Sequence, residues 1–152
     1  MSVNGTQSAS IEMQDRLAEF DPQGRLAADA RRIWAVTEQD SAAAHAFFAY
    51  YTRHSGLDRI LSAEALTALR AETERYARVK FVAFEESAWA LSVKECVLHA
   101  RKHKIAFRSI LAALCAAQET VADSIRLHMP DDDTERHRLL QSLMRMGLIE
   151  AE

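Results

Sequence analysis

Glycine and proline are scarce in this sequence, 4 and 2 respectively in 152 residues, so few positions can support tight turns. With Ala, Leu, Glu and Arg dominant, that scarcity predicts an all-α protein. A chain of this length is typical of one domain with a single sizeable core. Neither sign of charge prevails: 19 basic and 22 acidic residues are interspersed for a net charge of -3, which provides no basic field for nucleic acid and no acidic tail. Cysteine is nearly absent. Cys96 and Cys115 lie in apolar helical context without C-x-x-C spacing and are expected to be buried free thiols of a reducing compartment. No apolar run reaches membrane-spanning length, and the start M-S-V-N-G-T-Q-S-A-S lacks the regions of a signal peptide, so a cytoplasmic protein without membrane insertion is expected. Also missing are a Gly-rich phosphate loop, a Ser/His/Asp ordering, paired buried carboxylates and any internal repeat. Catalysis by this domain alone is therefore not expected.

In chain order, residues 1–9 are small and polar and are expected to be flexible. Ser10 is placed to cap a short helix from Ile11 to Phe20, with Ile11, Leu17 and Phe20 inward. Pro22 suits the first turn of a second helix reaching about Val36, with Leu26, Ala30, Ile33 and Trp34 inward. Thr37 to Asp40 resembles a capping sequence. The helix after it, Ser41 to His54, carries the aromatic patch Phe47, Phe48 and Tyr51 and ends at Ser55-Gly56. Such a patch is ordinarily core, and becomes a pocket wall where a flat cofactor lies against it. Leu57 to Leu61 is a connector. Ser62 starts a helix over Ala63 to Phe84, in which Lys80 breaks the apolar stripe and is expected to snorkel. No breaker marks the boundary near Lys104 to Phe107. A long helix then runs through Ile110, Leu114, Val121 and Ile125 to His128, and Met129-Pro130 stops it. Thr134 to Glu152 forms the last helix, with Leu139, Leu140, Leu143, Met144 and Leu148 apolar.

The stretch from Trp89 to Leu114 is the most informative. His99 and His103 lie one helical turn apart, so they project from the same side and could meet one ligand. At helical period Trp89, Val93, Cys96, Val97 and Ala100 form an apolar stripe, with His103 inside it and His99 at its edge beside Glu95. Taken alone, His103 reads as a satisfied core histidine and His99 as a surface one. The H-x-x-x-H spacing also has the reach for a zinc or other metal site, but no further Cys, His or Asp pair is spaced to complete it.

The order of elements and several short strings resemble the sensor globin domain of globin-coupled sensors and protoglobins. F-F-A-Y-Y-T-R-H-S-G-L (Phe47 to Leu57) is similar to a family string of aromatic and apolar residues. Leu66 to Phe81 looks like the family's distal helix. F-E-E-S-A-W (Phe84 to Trp89), followed by His99-Ala-Arg, resembles the approach to its proximal histidine. The likeness covers residues 10–152. It implies a globin-like fold of about seven to eight helices with an extra N-terminal helix. It also implies haem b, with His99 as the proximal ligand of the iron and His103 as the runner-up, in a cofactor pocket that includes Phe48, Thr73, Tyr76 and Cys96. Phe48 falls where many members carry a tyrosine that hydrogen-bonds bound oxygen, so Tyr51, Tyr76 or Thr73 would have to supply that donor. Glu95-Cys96 replaces an Ile-Gly pair, and the carboxylate is expected to turn outward to a salt bridge. The implied function is a haem-based sensor of a diatomic gas, oxygen first, with carbon monoxide or nitric oxide as alternatives. It would be the input module of a bacterial signalling protein of chemotaxis transducer, diguanylate cyclase or kinase type, homodimeric through the last two long helices. A C-terminal signalling domain would follow residue 152, where the last helix reads as cut mid-helix. Some relatives keep the fold and sense without haem, so the alternative is a haem-less signalling or interaction domain that takes its signal through its helical surface or another ligand.

Overall fold

The computed structural model describes the backbone of residues 3–151 and the side chains of residues 11–151. Among the described residues the chain forms eight helices and no strand, as the scarcity of glycine and proline predicts. They are α1 (Val3–Phe20), α2 (Leu26–Thr37), α3 (Ala42–Ser55), α4 (Leu57–Ile60), α5 (Ala63–Val82), α6 (Ser87–Lys102), α7 (Phe107–His128) and α8 (Asp133–Ala151). Several boundaries follow local chemistry. Ser62 Oγ accepts the Ala65 N–H at 3.2 Å and so caps α5 as expected. Asp132 Oδ1 accepts the Glu135 N–H at 2.9 Å at the start of α8. Gly56, at φ 72°, closes α3 in the left-handed region that a residue without Cβ reaches at no steric cost.

Other boundaries differ from the sequence reading. α1 starts at Val3, so its backbone runs through Ser10, whose side chain lies outside those described. Met13 is its most buried residue, 2% exposed, and Leu17 and Phe20 pack partly buried against the same core as expected, whereas Ile11 is exposed. Pro22 stands in a turn ahead of α2, and Asp21 does the capping, accepting the N–H of Arg25 at 2.8 Å and of Leu26 at 3.0 Å. Part of the connector after Gly56 coils into α4. The unmarked boundary near residue 104 is made by Lys104 itself, at φ 55°, with the Ile105 N–H bonded to the Ala100 carbonyl at 2.9 Å. A lysine there takes the role usually left to glycine, which hides the stop from a search for breakers. His103 is consequently the C-cap of α6 and not part of its stripe. Cys115 is exposed, against the expectation of a buried thiol, and Cys96 is half-buried.

α3 lies across α5 and α7, α2 packs on α5 and α8, α7 pairs with α8, and both α1 and α5 contact α6. One apolar cluster joins Met13, Leu26, Ile33, Phe81, Phe84, Trp89, Ile125, Leu139 and Met146. Each large side chain fully buried there contributes about 1.5–3 kcal/mol. A second cluster, Phe47, Tyr51, Leu57, Leu69, Tyr76 and Ala113, lies between α3, α5 and α7 and backs the site described next.

Lys80 does not snorkel. It is 6% exposed and ion-pairs with Glu150 of α8, whose carboxylate also accepts the Tyr76 hydroxyl. No helix of the described residues is long and apolar enough to cross a membrane.

Candidate functional site

Three helices converge on a cleft of about 60 Å³. α3 contributes Phe47 and Tyr51, α5 contributes Leu69, Glu72, Thr73, Arg75 and Tyr76, and α6 contributes Ser92, Glu95, Cys96 and His99. The spacing explains the convergence: residues three, four and seven apart share a helix face, which places Leu69, Glu72, Thr73 and Tyr76 along one side of α5 and Ser92, Cys96 and His99 along one side of α6.

His99 is tied across the cleft to α3, its Nδ1 3.0 Å from the Tyr51 hydroxyl. Which of the two donates depends on the tautomer. The His103 ring lies with its centroid 4.5 Å from that of His99 and does not line the cleft. Burial first, then the charge of His103, pushes the His99 imidazole below its ordinary value. The ring is therefore neutral at pH 7. Burial raises the hydroxyls of Tyr51 and Tyr76 and pushes the Cys96 thiol up to about 11, with the Glu150 charge adding to the shift at Tyr76 and Cys96. Cys96 is thus a thiol, not a nucleophilic thiolate. At the mouth, Glu95 turns outward and meets Arg75 at 3.3 Å, the salt bridge expected of a carboxylate at this position.

A depressed histidine has a definite stability signature. The unfolded chain binds the proton more readily than the folded one, so the contribution of His99 is full above the unfolded value near 6.5 and declines as pH falls below it. The urea midpoint should therefore drop between pH 7 and 5, and His99→Gln should flatten that part of the profile. Asp40 acts in a different window. Partial burial opposes its ionisation, but hydrogen bonds from Ser124, the Ala42 N–H and His128 outweigh it and hold the carboxyl below its ordinary value, so its contribution is lost only as pH falls below about 4. An unchanged pH 5–7 slope in His99→Gln would refute the assignment to His99.

Of the residues singled out from sequence, His99, Thr73, Tyr76 and Cys96 are brought together in the cleft. Phe48 is not: the guanidinium of Arg70 lies 5.1 Å from its ring centroid, and its neighbours Phe47 and Tyr51 take the positions inside. Leu69, Glu72, Arg75 and Ser92 went unrecognised because nothing in their identity separates them from an ordinary helix face. His99 and His103 belong to no group of three metal-binding side chains among the described residues.

Haem does not fit these residues as arranged. Cofactor sites run to roughly 300–1,000 Å³, well above the volume of this cleft. The Tyr51–His99 hydrogen bond and the Arg75–Glu95 ion pair bridge its walls, and Glu72, Thr73 and Ser92 make part of its lining polar. The arrangement suits a small ligand that exchanges hydrogen bonds with an imidazole and hydroxyls. No family model matches the chain, and neither a curated protein nor a solved structure matches it.

Proposed function

We propose that this chain is a globin-like signalling domain that operates without haem, the cleft between α3, α5 and α6 being the place where a small ligand acts. The globin-like reading is supported by the sequence resemblance and by the arrangement that accompanies it: an extra helix, α1, precedes the rest, and His99 on α6 lines the same cleft as α5, the helix that resembles the family's distal one. The haem-less reading is carried by one observation, the small cleft closed by the Tyr51–His99 bond. The test is the visible absorption spectrum of the purified protein before and after addition of hemin. No Soret band is expected before addition, and after it only the broad band of free hemin, unshifted by the protein; a sharpened, shifted band that disappears in His99→Ala would overturn the reading.

One feature favours the second reading, a haem-based sensor of oxygen, carbon monoxide or nitric oxide. His99 is a neutral imidazole with Nδ1 engaged by Tyr51 and with no hydrogen bond at Nε2 among the described residues, as an iron-ligating histidine requires. That reading needs α5 and α6 to separate, and the same spectrum decides between the two.

The reading as a signalling module includes a homodimer through α7 and α8 and a partner domain that receives the signal. In support, Met144 and Leu148 on α8 are 60% and 51% exposed although both are large and apolar. Sedimentation at micromolar concentration should show a dimer, and Met144→Glu with Leu148→Glu should shift it to monomer. A monomeric unsubstituted protein would refute this assembly.

A further inference from the structure

The charge of this chain, nearly balanced overall, is one-sided at the junction of α6 and α7. No acidic residue lies between Glu95 and Glu119, and the same stretch holds Arg101, Lys102, Lys104 and Arg108, with Lys94 just before Glu95. All five cations are exposed. Among the described residues none of them forms an ion pair, the paired cations belonging to other parts of the fold, and Glu95 is held by Arg75. The fold gathers these charges at one corner. α6 ends at Lys102 and α7 begins at Phe107, and the turn between them is tight: the Lys104 N–H bonds to the Arg101 carbonyl at 3.1 Å and the Ile105 N–H to that of Ala100 at 2.9 Å. Lys94, Val97, Leu98 and Arg101 are three, four and seven residues apart and share one face at the end of α6. Large apolar side chains stand in solvent at the same corner, with Val97, Leu98 and Phe107 41%, 54% and 62% exposed. Val97 and Phe107 belong to one patch, because both line a cavity of about 40 Å³ together with Ile110 and Leu111.

We propose that the corner between α6 and α7 is a docking surface for a bilayer with anionic headgroups, the five cations meeting phosphates while Leu98 and Phe107 enter the interface. Cations of a single sign set around apolar side chains suit an anionic leaflet: each Lys or Arg near the surface strengthens attachment about fivefold, and the apolar residues reach the boundary between headgroups and acyl chains. Nucleic acid would meet the cations, but its sugar-phosphate backbone gives Val97 and Leu98 nothing to bury against. A protein partner would cover the apolar residues, but lysine is depleted at such interfaces, and three of the five cations here are lysines. Attachment of this kind is peripheral and needs no membrane-spanning helix. It requires neither haem nor a ligand in the cleft.

The test is co-sedimentation of the intact chain with vesicles of phosphatidylcholine alone and of phosphatidylcholine mixed with phosphatidylglycerol. Binding is expected to the mixed vesicles only, and it should weaken as salt is raised, because exposed charges are screened. Arg101→Gln with Lys102→Gln and Arg108→Gln should weaken it by roughly tenfold or more. Leu98→Ser with Phe107→Ser keeps every charge and should weaken it by roughly fivefold or more; both side chains are more than half exposed, so the fold is kept. No binding to the mixed vesicles, equal binding to both kinds, or unchanged affinity in either variant overturns the proposal. Two outcomes would overturn it in favour of another partner. Binding of a single-stranded oligonucleotide with none to the mixed vesicles assigns the corner to nucleic acid, and conversion of a dimer to monomer by Leu98→Ser with Phe107→Ser assigns it to a second copy of the chain.

Discussion

Replacing Lys80 with alanine should destabilise the protein by about 3–5 kcal/mol, because it strands the Glu150 carboxylate in a site where, among the described residues, Lys80 is the cation paired with it. Against a total stability of roughly 5–15 kcal/mol, such a loss would leave the domain marginal. The pair itself need not be stabilising. Two charges taken out of water lose hydration that their mutual attraction only partly restores, so an apolar replacement of similar volume is often neutral or better. Tyr76 must be replaced at the same time, since its hydroxyl would otherwise lose its acceptor. The triple variant Lys80→Met, Tyr76→Phe, Glu150→Leu should accordingly fall within about 1–2 kcal/mol of the unsubstituted protein. Urea denaturation of both variants checks this. A loss below about 1 kcal/mol for Lys80→Ala would mean that solvent reaches Glu150 and that the pair behaves as a surface one.

Lys80 also shows where a sequence stops being informative. Its partner is 70 residues away, and a lysine on an apolar stripe has two physical solutions, reaching water along its stem or meeting a buried carboxylate. Helical period alone selects neither. Local signals were legible wherever a single residue determines the backbone: the hydroxyl of Ser62, the left-handed Gly56 and the Pro130 stop all fall where side-chain chemistry predicts a boundary. They were illegible where an unusual residue does the usual work, as Lys104 does after α6. The candidate site was half legible. His99 stands out as a titratable group on an apolar helix, and Thr73, Tyr76 and Cys96 lie on faces that a period of 3.6 assigns inward. Phe48 and Phe47 are adjacent, however, and a rotation of one residue position, about 100° on a helix, decides which enters the cleft. The structure selects Phe47. The volume of the cleft, which bears most directly on haem, depends on how closely α5 and α6 approach, and no residue pattern encodes that distance.

The approach of α6 is set largely at its first turn, where Trp89 is 0% exposed and packs on Phe84 with ring centroids 4.6 Å apart. Trp89 belongs to the cluster that includes Met13 of α1 and Phe81 of α5, and α1 and α5 are the helices with which α6 makes its main contacts. Ser92, Cys96 and His99 follow on the same helix, and their placement in the cleft depends on that anchor. Trp89→Ala should cost about 3–5 kcal/mol, the range for truncating a buried aromatic where the surroundings relax only partly. It should also move the His99 imidazole back toward its ordinary value, because α6 would loosen from α5 and admit water to the cleft. Trp89→Phe keeps a ring against Phe84 and deletes the N–H that has no partner. Its loss should be well below that of the alanine variant, since the smaller cavity is offset by the donor no longer buried unsatisfied. Urea denaturation gives the two stabilities, and NMR titration of the His99 ring gives the second readout. A cost for Trp89→Ala below about 2 kcal/mol, or an unmoved His99 titration, would show that α6 is positioned by α7 and the α3 side of the cleft, not by its first turn.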